Sequence, residues 1–270
     1  MTIRFSPATQ NHIAQEGSWK EWMDNGHIVI YTGTQPATAD LAVTGTLLVT
    51  LTSSAGAKTN ETRGLGVITL SVGAVGSDTV ATLTLLGVEI MGSATAFNTS
   101  LTQTAADVAL KINRNPKNHF VIATSSGAVI TLTAKRGFGT LLNSAALATT
   151  VGGNMVAAVT STSFGSGTGG GTAGINAANG LLLDYNAAAG VITKDITQTW
   201  SGTAVATGTA GWFRFKGSVV DADALDSSAV FARMDGAIAT SGSDMNMSST
   251  AVTNGAVQTL STFSFTIPAA

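Results

Sequence analysis

Cysteine is absent from this chain, which excludes a disulfide framework and any thiolate metal site. Charge is scarce as well. Asp, Glu, Lys and Arg supply 10% of the 270 residues, against roughly 25% in an ordinary soluble domain, and such a surface favours contact with neighbours. The 13 basic residues are scattered and the net charge is −2, so the clustered Lys and Arg that phosphate binding needs are missing and nucleic acid is not an expected partner. No uninterrupted apolar run reaches the roughly 18 residues of a membrane span. The segment from Met1 to Ser18 shows no basic stretch followed by an apolar run, so a protein folded in a cytoplasm, without an export signal of its own and without a membrane partner, is expected.

What is abundant is Ala, Val and Leu dispersed among Thr and Gly, with a mean hydropathy of +0.31, the composition of β-rich architecture. Pro7 to Asn25 carries Ile13, Trp19, Trp22 and Met23 among polar residues, with Asn25-Gly26 as a stop, and reads as a short N-terminal helix weakened by Gly17. The period then changes to two. Strands are predicted at Ile28–Tyr31 and Leu47–Thr52, then at Val67–Val72 and Thr79–Met91 as a hairpin through Gly76-Ser77-Asp78. Thr102 to Asn113 places Ala105, Val108, Ala109 and Ile112 at helical spacing and ends at Asn115-Pro116. Phe120–Thr124 and Ala128–Ala134 follow as strands, and further strands are predicted at Leu181–Leu183, Val191–Ile196, Thr209–Lys216, Val230–Ile238 and Val257–Ile267.

Two low-complexity stretches divide this series. Residues 55–66 are small, polar or charged, and residues 163–174 are almost all Gly, Ser and Thr, so both read as connections. A lone early hairpin is only marginally stable, so the predicted fold is mostly β: a discontinuous antiparallel β-sandwich, Ig-like or jelly-roll-like, over residues 26–60 and 161–270. It carries an inserted small ββαββ domain at 65–160 and an N-terminal helical arm at 1–25. Two consecutive domains are the alternative.

Candidate chemistry is sparse. His12, His27 and His119 sit in different predicted units with no carboxylate at ligand spacing, and no metal site or cofactor is expected. Asp221, Asp223 and Asp226 lie close enough to suggest paired catalytic carboxylates or a calcium loop, but Val-Val-Asp-Ala-Asp-Ala-Leu-Asp-Ser-Ser reads more simply as a solvated loop. The run Gly165 to Gly174 lacks the Gly-Lys-Ser/Thr ending of a phosphate loop, and Ser166 within it belongs to a linker rather than a nucleophile elbow. Catalysis is therefore not expected. Trp200 and Trp212 read as core residues. Trp19, Trp22 and Met23, on a marginal helix, are the candidate subunit contact.

Ile28 to Asp40 followed by Gly45-Thr46-Leu47-Leu48 resembles a recurrent pattern in structural proteins of tailed-bacteriophage particles. The companion stretches Gly211 to Phe215, Asp235-Gly236, Gly242 to Met245 and Phe263 to Pro268 occur in order. The simpler relatives lack the middle unit, which in Val80–Met91 and Thr104–Asn113 is similar to small repeats of phage tail and surface proteins. The resemblance implies a virion component of decoration, neck or tail type, made in the host bacterial cytoplasm. Its partners would be other copies of itself as a homo-oligomer and other capsid or tail proteins; it names no catalytic residues. The alternative is a host-surface adhesin or tail fibre component with a carbohydrate, a host surface glycan, as partner.

Overall fold

The computed structural model describes residues 3–159, 164, 170–185 and 190–266. It divides into two compact units, Met1–Asn60 with Ala177–Ala270, and Glu61–Asn176. In chain order the first unit begins with β1 (Arg4–Phe5), α1 (Pro7–Gln15), α2 (Trp19–Met23), β2 (His27–Thr32) and β3 (Leu47–Ser53). The second holds β4 (Leu65–Val72), β5 (Thr79–Leu85), β6 (Val88–Glu89), β7 (Thr95–Ala96), α3 (Leu101–Arg114), β8 (Val121–Ser126), β9 (Val129–Ala134), β10 (Leu147–Gly152) and β11 (Val156–Val159). The first unit resumes with β12 (Val191–Thr193), β13 (Trp200–Thr203), β14 (Gly208–Lys216), β15 (Arg233–Ala239), β16 (Met245–Asn246), β17 (Ala251–Val252), β18 (Val257–Leu260) and β19 (Ser264–Thr266). The chain is mostly β, as its composition predicts, and nearly all its strand pairs are antiparallel.

The first unit is built on a nine-stranded sheet in the order β1-β15-β14-β2-β3-β13-β18, with β16 on β15 and β17 on β14. Period-two alternation turns Ile28, Ile30, Phe213, Phe215 and Met234 to one face, where they join Trp200, Leu48 and Leu51 in a buried core. The opposing layer is a ribbon of β12 and β19 together with α2, not a second full sheet. Trp19 of α2 stacks on Phe265 at 4.5 Å and meets Phe215 edge-on at 6.1 Å. Residues 1–25 are therefore part of this unit rather than a separate arm. Both short helices start from serine caps: the Ser6 hydroxyl accepts from the Thr9 N–H, and the Ser18 hydroxyl from the Glu21 N–H.

The second unit packs two four-stranded sheets, β10-β5-β6 with β7 on β5 and β11-β4-β9-β8, around one core. The inward face of α3 contributes Ala105, Val108, Ala109 and Ile112 to it. The expected β4–β5 hairpin does not form, because the two strands belong to different sheets. At the crossover the Asp78 carboxylate takes the N–H groups of Ala74 and Val75 and redirects the chain. The single strand expected over Thr79–Met91 breaks at Leu86-Gly87, both with positive φ (54° and 76°), and returns as β6. Leu181 and Leu183 form isolated bridges only, and Val257–Ile267 is two strands with different partners.

Both expected connections also change. Thr62 bridges Ile175 and Leu65 bridges Thr172, so 61–65 and 170–176 run beside each other inside the second unit and its limits are wider than 65–160. Phe164, within the presumed Gly-rich connection, is fully buried in that unit's core and exchanges backbone hydrogen bonds with Ser144 and Ala145. Residues 163 and 165–169 of that stretch, with Ser166, lie outside the described residues. Phe164→Ala should destabilise the second unit by about 3–5 kcal/mol through the cavity it opens. Hydrogen-exchange mass spectrometry would report this as lost protection in β4 and β9, and unchanged protection there would refute the placement of Phe164.

Candidate functional site

The second face of the nine-stranded sheet carries charge where a sandwich has either core or solvent. On β2 it presents His27, Val29 and Tyr31, on β14 Trp212, Arg214 and Lys216, and on β15 Arg233 and Asp235, all of them buried. Register lines them up in rows. Tyr31 faces Trp212, Val29 faces Arg214 and then Asp235, and His27 faces Lys216 and then Arg233. Two irregular segments, 34–46 and 217–232, cover this face and bond to each other: Val43 N–H donates to Asp223 O at 3.0 Å and Asp226 N–H to Asp40 O at 2.8 Å.

The charges balance. Arg214 grips Asp235 through Nε and Nη2, each at 2.8 Å, and Arg233 grips Asp221 through Nε at 2.7 Å and Nη2 at 2.5 Å. Lys216 Nζ donates to Asp223 Oδ2 at 2.7 Å, where the Tyr31 hydroxyl also donates at 3.2 Å. Three cations thus meet three carboxylates. Other guanidinium donors reach backbone carbonyls of the covering segments: Arg214 Nη2 reaches Leu41 O, Arg233 Nη1 reaches Asp40 O, and Arg233 Nη2 reaches Ala224 O, while Arg214 Nη1 has no hydrogen-bond partner. Such forked, charge-assisted bonds are short and directional. Trp212 stacks on Tyr31 at 4.6 Å and donates its indole N–H to Thr44 O, and the Arg214 guanidinium lies 5.6 Å over its ring.

Electrostatics follow from burial and neighbours. Burial pushes the Asp221 carboxyl up, but the hydrogen bonds and charge of Arg233 outweigh it and hold the group below its ordinary value. Asp235 is deeper, and there burial prevails over Arg214 and raises the carboxyl. Burial also raises the Tyr31 hydroxyl, with the Asp223 charge adding to it. His27 is pushed down to about 3 by burial first and by Lys216 second, so it is neutral throughout the physiological range.

The carboxylates singled out in the sequence are accordingly not a solvated loop. Asp221 and Asp223 are locked into ion pairs, and Asp226 accepts from the N–H groups of Val230 and Phe231, which leaves none of the three as a free acid or base. The histidines stay apart: His12 stacks on Trp22 at 4.2 Å, His27 lies in the ionic layer, and His119 is exposed before β8. Among the described residues no group of three His, Cys, Asp or Glu could hold a metal ion. Of the residues expected at a subunit contact, Trp19 and Met23 are buried in the core of the first unit, and Trp22, half-buried, donates its indole N–H to Thr9 Oγ1. Trp200 and Trp212 are both core as expected, Trp212 in a small cluster with Val29 and Tyr31 on the charged face. Sequence reasoning missed Arg214, Lys216, Arg233, Asp235 and Tyr31. Their signal was present as like parity on strands whose opposite parity is apolar.

No helix among the described residues is long and apolar enough to cross a membrane. No family model, no curated protein and no solved structure matches the chain.

Removing one partner of a buried pair leaves an uncompensated charge, so Asp235→Ala is expected to cost about 3–5 kcal/mol. The double change Arg214→Met with Asp235→Leu should return most of that loss. Chemical denaturation followed by tryptophan emission reads the first unit alone, because Trp19, Trp22, Trp200 and Trp212 all lie there. A double variant as unstable as the single one would show that the guanidinium has a role beyond satisfying Asp235.

The pH dependence has a definite sign. Because His27 has its folded value depressed from 6.5 to about 3, the unfolded chain takes up the proton first. Its contribution is complete above the unfolded value and lost as pH falls through that window. Between pH 7 and 5 the loss should be about 2 kcal/mol and should vanish in His27→Gln, and an equal slope in that variant would refute the assignment.

Proposed function

We propose that the chain is a non-enzymatic structural subunit of a tailed-phage virion, decorating the capsid or forming part of the neck or tail through repeated symmetric contacts. The observation that carries this reading is where the charge goes. Of 13 Lys and Arg and 15 Asp and Glu, six form the closed ionic layer, and the acids that resembled a catalytic pair are consumed there. The outer surface is left with few charges and with exposed apolar residues such as Val205, Val220, Leu225 and Val257. That surface suits close packing against copies of itself and other particle proteins, and repetition around a symmetric particle multiplies weak contacts. The resemblance of Ile28–Asp40 and its companion stretches to phage particle proteins points the same way.

A second reading, binding of a host-surface glycan, is favoured by one feature of the second unit. A cleft of about 650 Å³ beside α3 is lined by Phe97, Asn98, Asp107, Lys111 and Arg114 among others, an aromatic ring beside amide and charged groups of the kind that hold sugars. Cryo-electron microscopy of the particle, with protein identification by mass spectrometry, tests the first reading. Density for many symmetric copies is expected, and absence of the chain from the particle would refute it. A specific glycan-array signal from the purified chain, lost in Asp107→Ala, would move the assignment to the second reading.

A further inference from the structure

Of the three ion pairs in the buried layer, one is built differently. The two arginine pairs are forked, whereas Lys216 and Asp223 meet through a single 2.7 Å contact between Nζ and Oδ2. The other carboxylate oxygen, Asp223 Oδ1, has no hydrogen-bond partner, and it faces Arg214 Nη1, also without one, at 3.7 Å. Tyr31 donates its hydroxyl to Oδ2, and the backbone carbonyl of Asp221 accepts from Lys216 Nζ at 3.1 Å. The covering segment holds Asp223 at φ 61°, a left-handed conformation rare for a residue with a side chain.

From this arrangement we propose that Lys216 and Asp223 condense spontaneously to an intramolecular amide, a covalent staple that ties the 217–232 segment to β14. The lysine nitrogen is buried, with Arg233 and His27 as its cross-strand neighbours, and it attacks as the free amine. Condensation replaces a buried ion pair by a neutral amide and so removes the desolvation cost of both charges.

The step balances without an outside reagent. One ammonium proton crosses the 2.7 Å contact to Oδ2, leaving amine and carboxylic acid. The amine lone pair attacks Cγ, and the negative charge that develops on Oδ1 is met by the free Nη1 of Arg214. A second nitrogen proton passes to the Oδ2 hydroxyl, the Cγ–Oδ2 bond breaks, and water departs with Tyr31 donating to the leaving oxygen. Holding both groups in contact supplies the proximity that makes such a reaction unimolecular. The product removes one charge of each sign, so Arg214 with Asp235 and Arg233 with Asp221 remain a balanced layer. In a chain without cysteine this cross-link would do for one loop what a disulfide does elsewhere.

Mass spectrometry of the purified full chain after tryptic digestion decides the matter. An amide at Lys216 blocks cleavage there, so the expected product is a single peptide from Phe215 to Arg233, lighter than its sequence mass by one water. Lys216→Arg should restore cleavage and give Gly217–Arg233 at full mass. A wild-type digest dominated by Gly217–Arg233 at full mass would overturn the proposal. So would the same cleaved peptide one water lighter and converted by hydroxylamine to a hydroxamate, the signature of an aspartyl succinimide.

Discussion

Neutralisation of buried charge organises the first unit on the side away from its apolar core. Taking an arginine or a carboxylate out of water costs several kcal/mol unless its partners are complete, and here the partners come from both strands and covering segments. Arg214 and Arg233 each spend one fork on an aspartate and further donors on carbonyls between Ala39 and Leu41 or at Ala224. The segments 34–46 and 217–232 are thus tied to both guanidinium groups through these bonds. The same layer fixes strand register. A slip of one residue in β14 would carry Trp212, Arg214 and Lys216 into the apolar core and Phe213 and Phe215 under the loops. Apolar burial alone discriminates against that slip, and the ion pairs add a penalty on the opposite face.

The second unit applies the same physics to single turns. The Asp78 carboxylate is held below its ordinary value by the N–H groups of Ala74, Asn154 and Val75, which pins the crossover between its two sheets to the turn after β10. Glu89 accepts from Leu83, Met91 and Gly92, and Glu61 accepts from Gly137 and Gly139. Each of these acids gathers backbone donors that a loop rich in small residues could not otherwise satisfy. In a chain of Gly, Ala, Ser and Thr, with little side-chain bulk to stiffen its connections, carboxylates take over the work of shaping them.

This division also explains what could be read in the sequence. Strands with large alternating residues, β2, β3 and β14, and the amphipathic α3 were legible because periodicity is a local property. β10 and β11 were missed because Ala, Thr and Gly dominate them and no apolar stripe marks a face. Phe164 was hidden by its neighbours: one aromatic among glycines has no period, yet it anchors the stretch. The ionic layer was missed for a different reason. Asp221 is paired with Arg233 twelve positions on, and Tyr31 reaches Asp223 across 192 positions, so the loop looked solvated when judged by its own composition. Trp19 and Met23 carried a true signal of burial, four residues apart on one helix face, but amphipathicity says only that a face is covered and not by what.

Charge kept inside has a consequence outside. Six charged residues are spent in the layer, and Glu61, Asp78, Glu89, Asp226 and Asp244 hold backbone groups. A face that presents mainly small polar and apolar groups can approach an identical face without bringing like charges together and without stripping water from many ions. The penalty of such a surface is poor colloidal stability of the free chain. Rigid loops matter for the same reason, since each side chain ordered before association is one that association does not have to order. The interior ion pairs and the sparsely charged exterior are therefore two sides of one allocation: electrostatics sets the shape of each unit, and shape is left to make the contacts.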